Sequence, residues 1–87
     1  MRAIPNYDRA LELNPDCGPA YYNRGIAWYH FNEYDKALAD YLHALDKGVP
    51  GKTAALHCSL GHVWLMKNDH AKAIEHYGRA IELDPEN

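Results

Sequence analysis

Three tyrosines, Tyr7, Tyr41 and Tyr77, are framed by alanines at fixed distances. Ala3, Ala37 and Ala73 stand four residues before them, and Ala10, Ala44 and Ala80 three residues after. Tyr7 to Tyr41 is 34 residues and Tyr41 to Tyr77 is 36. A second pattern runs ahead of the last two copies. Tyr21-x-x-Arg24-Gly25-x-x-Trp28 returns as His57-x-x-Leu60-Gly61-x-x-Trp64, again offset by 36 residues. The two extra residues fall in the junction Lys47-Gly48-Val49-Pro50-Gly51-Lys52, where an insertion belongs in a loop. Such a period restricts the fold severely: each unit is one supersecondary element that buries its apolar face only against its neighbours.

Both halves of the unit read as amphipathic helices. Over Tyr34–Lys47 the apolar set Tyr34, Ala37, Leu38, Tyr41, Ala44, Leu45 recurs at three- and four-residue steps. His70–Leu83 repeats it with Ala73, Ile74, Tyr77, Ala80 and Ile81, and the first copy with Ala3, Ile4, Tyr7, Ala10 and Leu11. Pro5 is tolerated in an opening helical turn, where the first N–H groups lack intrahelical partners. Asp69 suits an N-cap, and Pro15 and Pro85 follow helix ends. Glu75 and Arg79 are spaced for an i,i+4 pair.

Gly25 and Gly61 fall in mid-helix, where glycine costs about 1 kcal/mol relative to alanine. The position makes sense if a bulky ring from the paired helix takes the space, and Tyr41 and Tyr77 are the candidates. Ala37, Ala44, Ala73 and Ala80 let helices approach closely. The reading is of paired antiparallel helices stacked into a solenoid.

These residues resemble the tetratricopeptide repeat. Tyr21, Gly25, Trp28, Ala37 and Tyr41 fit one copy of its signature. Leu60, Gly61, Trp64, Ala73, Tyr77 and Pro85 fit the next, and Ala3, Tyr7, Ala10 and Pro15 the second helix of a preceding one. The departures are Arg24 for the usual Leu, His57 for an aromatic, and Val49-Pro50 for the terminal proline. Arg24 is expected to pack its stem and send its head to water. The resemblance implies an all-α fold of five helices, with antiparallel hairpins stacked in a right-handed α-solenoid. Residues 1–16 are then the second helix of a truncated unit, and 17–51 and 52–87 complete units. Beginning halfway through a unit, without polar caps, the chain reads as part of a longer array. The helix Arg2–Leu13 is accordingly expected to dock on the last helix of a neighbouring molecule.

Composition narrows the function. The 87 residues carry a net charge of −3 with no basic cluster, which argues against a nucleic-acid partner. No apolar run approaches the roughly 20 residues of a membrane span, and the N-terminus lacks a signal peptide's apolar core. Only two cysteines, Cys17 and Cys58, point to reduced thiols and a cytoplasmic setting. The sole thiol–imidazole spacing, Cys58 with His62, has no third group for catalysis, so no enzyme is expected. A metal site built from Cys58, His62 and His30 falls short of four closely spaced ligands, and His43, His57, His70 and His76 scatter over other faces. No metal or cofactor is expected.

The resemblance also implies a partner site on the first helix of each pair, facing a concave groove. With Tyr21, Gly25 and Trp28 turned to the core, the residues facing away from the paired helix are Tyr22, Asn23, Ile26, Tyr29 and His30. On the next first helix they are Ser59, His62 and Met66, with Cys58 and Leu65 at the margin. Aromatic anchors beside a soft methionine suit a peptide or protein segment with apolar side chains. Ile26 and Met66 would alternatively pack between stacked helices. Some family members clamp a C-terminal carboxylate of heat-shock chaperones with Lys, Asn and Arg side chains. Asn23 matches one of these, but Ala55 and Ser59 stand where Lys and Arg are required. The competing role is a structural spacer whose ends mediate self-association.

Overall fold

The computed structural model describes residues 3–84, with Ala3 and Ile4 as backbone alone. Pro85 and the side chains of Ala3 and Ile4, which the repeat pattern uses, lie outside the described residues. Five helices make up the fold: α1 (Ala3–Leu13), α2 (Gly18–His30), α3 (Tyr34–Lys47), α4 (Thr53–Met66) and α5 (His70–Leu83). No strand occurs among the described residues. The bounds of α3 and α5 coincide with the helices read from apolar periodicity. The chain forms two compact units, Met1–Val49 holding α1–α3 and Pro50–Asn87 holding α4 and α5.

In the first unit α2 packs on α1 and on α3. The α2–α3 turn is reversed by Asn32 at φ +62°, and the α4–α5 turn by Asn68, 36 residues later, at φ +63°. Asparagine enters this left-handed region more readily than other non-glycine residues. Each turn is closed alike, the N–H of Glu33 donating to Trp28 O and that of Asp69 to Trp64 O, both at 2.9 Å. Asp69 also caps α5, accepting from the Lys72 N–H at 3.1 Å. The spacing of Asn32 and Asn68 was available in the sequence as a turn signal and went unread.

The mid-helix glycines sit under rings. A Cβ built at Gly25 would lie 2.7 Å from Cε1 of Tyr41, and one at Gly61 2.6 Å from Cε1 of Tyr77. Contacts that short are excluded for real side chains, so glycine is what admits each ring. Ala37 and Ala44 are fully buried beside the first ring, and Ala73 and Ala80 nearly so beside the second. Leu56, Leu60 and Val63 of α4 complete the core of the second unit.

A third close approach had no counterpart in the periodicity. At Gly18 a Cβ would collide with the carbonyl oxygen of Gly48, where the start of α2 meets the end of α3. Lys47 and Asp16 pair across the same end at 3.0 Å. Gly48 itself takes φ +91°, which explains a glycine there. Gly78 differs from all of these, since a Cβ there meets nothing within 4 Å. Gly78→Ala should therefore stabilise the chain by about 1 kcal/mol, seen as a rise in Tm of roughly 4–8 °C. The expected Glu75–Arg79 pair is absent from the ion pairs of the described residues, and both side chains stand exposed.

Candidate functional site

The first helices of the two hairpins share one property that the second helices lack. α4 (TAALHCSLGHVWLM) contains no Asp, Glu, Lys or Arg, and α2 (GPAYYNRGIAWYH) contains only Arg24. Arg24 is consumed internally. Its Nε and Nη2 donate to the two carboxylate oxygens of Asp40 on α3 at 2.7 Å each, and its Nη1 to Asp8 on α1 at 2.7 Å. Asp40 is only 3% exposed. These acceptors, Asp40 foremost, raise the guanidinium's already high pKa against the opposing effect of burial. The expectation that the Arg24 head reaches water is thus corrected: it ties together all three helices of the first unit. The equivalent residues of the second hairpin are Leu60 and His76.

With Arg24 withdrawn, the outer faces of α2 and α4 offer aromatic rings, amides, imidazoles and a thioether. Asn23, His30, His62 and Met66 are exposed, and Tyr22, Ile26, Tyr29 and Ser59 are half-buried. Three of these side chains lean back on the paired helix. The Tyr22 ring lies 6.1 Å from that of Tyr41, and Tyr29 meets Tyr34 edge-on at 5.5 Å. His62 Nδ1 is hydrogen-bonded to the Tyr77 hydroxyl at 2.7 Å. That bond ties the ring-over-glycine packing to the surface, and it commits the imidazole that would have paired with Cys58. His30 sits against Tyr29 at 6.1 Å. On the second helices Lys36 lies over the Trp28 ring at 4.5 Å and Lys72 over Trp64 at 4.3 Å, one cation–π clasp per hairpin in the same register. The shared spacing of Lys36 and Lys72 was another legible signal that went unread.

His57 and His76, assigned from sequence to separate faces, instead meet. Their Nδ1 atoms are 3.2 Å apart and the rings stack at 24°. Helix pairing rather than sequence distance brings them together. Burial is the main cause that lowers the pKa of both below 6.5; His76 and Arg79 add to it at His57, while at His76 Glu75 opposes it and Arg79 and Lys72 reinforce it. The folded chain therefore holds fewer protons on these rings than the unfolded chain. The stability they contribute is complete above about pH 6.5 and is lost as pH falls through the lowered folded values. Tm should drop between pH 7.5 and 5, and His57→Gln should flatten that dependence in melts across the range.

A chain of helix hairpins locked by rings over glycines, 36 residues apart, is a helical-repeat protein. Sequence profiles of the tetratricopeptide repeat match residues 1–53 and 54–87, and the chain belongs to the tetratricopeptide repeat family. It is 31% identical over 85 residues to the small glutamine-rich tetratricopeptide repeat-containing protein 2 of Mycosarcoma maydis, covering 98% of this chain and 24% of that protein. It is 34% identical over 85 residues to BBSome complex member BBS4 of Bos taurus, covering 98% of this chain and 16% of that one. Among solved structures, MamA (41 to the end) from Desulfovibrio magneticus RS-1 superposes with a TM-score of 0.84 at 26% identity, over 94% of this chain and 45% of that one. The chain thus spans about a quarter or less of the curated relatives named here. As a family member it is a scaffold for protein interaction. No helix among the described residues is long and apolar enough to cross a membrane.

Proposed function

We propose that the chain holds a peptide or protein segment on the outer faces of its first helices, taken hairpin by hairpin. Tyr22, Asn23, Ile26, Tyr29 and His30 serve on α2, and Ser59, His62 and Met66 on α4. The observation that carries this reading is the partition of charge. Second helices carry several Asp, Glu, Lys and Arg side chains, whereas the first helices carry only Arg24, whose guanidinium is engaged by Asp40 and Asp8. Interface cores are likewise depleted in charge and enriched in aromatic residues and Met. The rings over Gly25 and Gly61 pre-organise these faces, so binding orders little that is not already ordered. Membership of the bovine relative in a complex agrees with such a role.

The test places charge on exposed positions that hold no structural contact described above. Asn23→Arg with Met66→Lys should reduce partner affinity at least tenfold in a pull-down followed by titration, with Tm unchanged. A partner whose affinity survives both changes binds elsewhere, and the reading falls.

The second reading, association through a terminal helix, is favoured by α5. Ile74 and Ile81 are 70% and 61% exposed along one face of that helix. Leu11, the counterpart of Ile81 on α1, is buried at 8% where α1 packs on α2. A helix of this pattern is accustomed to cover. Light scattering across concentration, with Ile74→Lys and Ile81→Lys, decides it: self-association must appear in the parent chain and vanish in the variant.

A further inference from the structure

We propose that His57 and His76 form a two-imidazole clip for a borderline-soft divalent cation such as Zn²⁺ or Ni²⁺, held between α4 and α5 through the two Nδ1 atoms. Those atoms stand 3.2 Å apart on nearly parallel rings whose centroids are 5.5 Å apart. A tetrahedral ion with Zn–N bonds of about 2.0–2.1 Å spans roughly 3.3–3.4 Å between two ligands, so the separation suits one edge of a coordination shell, although the two nitrogens stand head to head and each ring must swing to turn its lone pair toward the ion. Imidazole is a ligand that zinc, nickel and copper accept, whereas magnesium prefers oxygen.

The rings are presented by a fixed scaffold. The Tyr77 ring over Gly61 sets the register of α4 against α5, and Leu56 and Leu60 of α4 are buried. The rearrangement is confined to a swing of the two rings and the move of one proton. Without a cation, one Nδ1–H donates to the other Nδ1. With it, both rings carry their proton on Nε2 and present Nδ1 lone pairs, and above the pKa of the pair no proton is released.

Lys72 and Arg79 from α5 oppose a cation, Glu75 from α5 favours one, and α4 contributes no charged side chain. The Lys72 ammonium is occupied over Trp64. The lowered proton affinity of both rings leaves them neutral, hence available as ligands, at pH 7. No third Cys, His or carboxylate joins them among the described residues, so water fills the remaining positions and affinity is modest. The other nitrogens in view are differently engaged: His43 Nδ1 lies 3.0 Å from Ala39 O, and His62 Nδ1 meets Tyr77. The first hairpin carries Tyr21 and Asp40 at the equivalent positions and lacks the clip.

The site does not depend on the partner-binding reading, and its test needs no partner. Thermal melts of the intact chain at pH 7.5 with ZnCl₂ or NiCl₂ should show Tm rising by roughly 4–8 °C once the cation exceeds its dissociation constant about fivefold. MgCl₂ should give no rise. The rise should disappear in His57→Gln and in His76→Gln and persist in His43→Gln. Imidazole ¹⁵N spectra of the unaltered chain, which need no variant to fold, should show cation-induced shifts at the Nδ1 atoms of these two rings. Absence of a rise, an equal rise in either Gln variant, or shifts confined to other histidines overturns the proposal.

Discussion

Arg24→Ala is expected to destabilise the chain by about 3–5 kcal/mol, because it leaves the buried Asp40 carboxylate without the fork that neutralises it. Total stability for 87 residues is on the order of 4–13 kcal/mol, so the variant should be largely unfolded or melt far below the parent. Asp40→Ala should cost less, since Arg24 keeps its bond to the half-exposed Asp8 and some access to water. Arg24→Lys should fall between, as an ammonium cannot make two parallel bonds to one carboxylate. The informative variant is the double change Arg24→Leu with Asp40→Ala, which imitates the apolar residue of the second hairpin at Leu60. Removing both charges should recover most of the loss. Urea titration of the four proteins decides it. If Arg24→Ala alone costs less than about 1 kcal/mol, the three-helix tie is not what holds α1 and α3 to α2.

The second large effect is at Gly25. Alanine there gains about 1 kcal/mol of helix propensity but drives a methyl against the Tyr41 ring. That ring is 3% exposed and has no room to withdraw. Overpacking of this kind costs roughly 1–3 kcal/mol for a methyl and more for a branched side chain. Gly25→Ala should therefore be net destabilising by about 1–2 kcal/mol, and Gly25→Val by about 3 kcal/mol or more. Tyr41→Leu in the Gly25→Ala background should relieve the clash, giving a coupling of opposite sign to the single effects. Gly61→Ala should behave similarly but more mildly, because the Tyr77 ring is less buried. If Gly25→Ala instead stabilises the chain as Gly78→Ala should, the ring does not require the space.

Most of the fold was legible because the repeat is a statement about backbone spacing. Small residues at fixed intervals, with one tyrosine per unit, specify which helix lies under which ring before any coordinate is known. Gly25 with Tyr41 and Gly61 with Tyr77 were paired on that ground. What escaped were interactions that depend on rotation about the helix axis and on reach. Arg24 occupies a leucine's place, and only the approach of α1 and α3 together reveals two carboxylates within one guanidinium's span. His57 and His76 lie 19 residues apart and look unrelated until the hairpin folds. At the partner face, residue types were readable, but the return of Tyr22, Tyr29 and His62 onto the paired helix was not, since a periodic pattern fixes direction only to within a side chain's swing. Gly18 was missed because its reason is a distant carbonyl, not a ring.

The two tryptophans give each hairpin a fluorophore of its own. Trp28 and Trp64 occupy the same place in their units, each half-buried beneath a lysine ammonium. With Trp28→Phe the emission comes from the second hairpin alone, and with Trp64→Phe from the first. Two otherwise similar proteins would then tell, wavelength by wavelength, whether neighbouring modules come apart together or in turn.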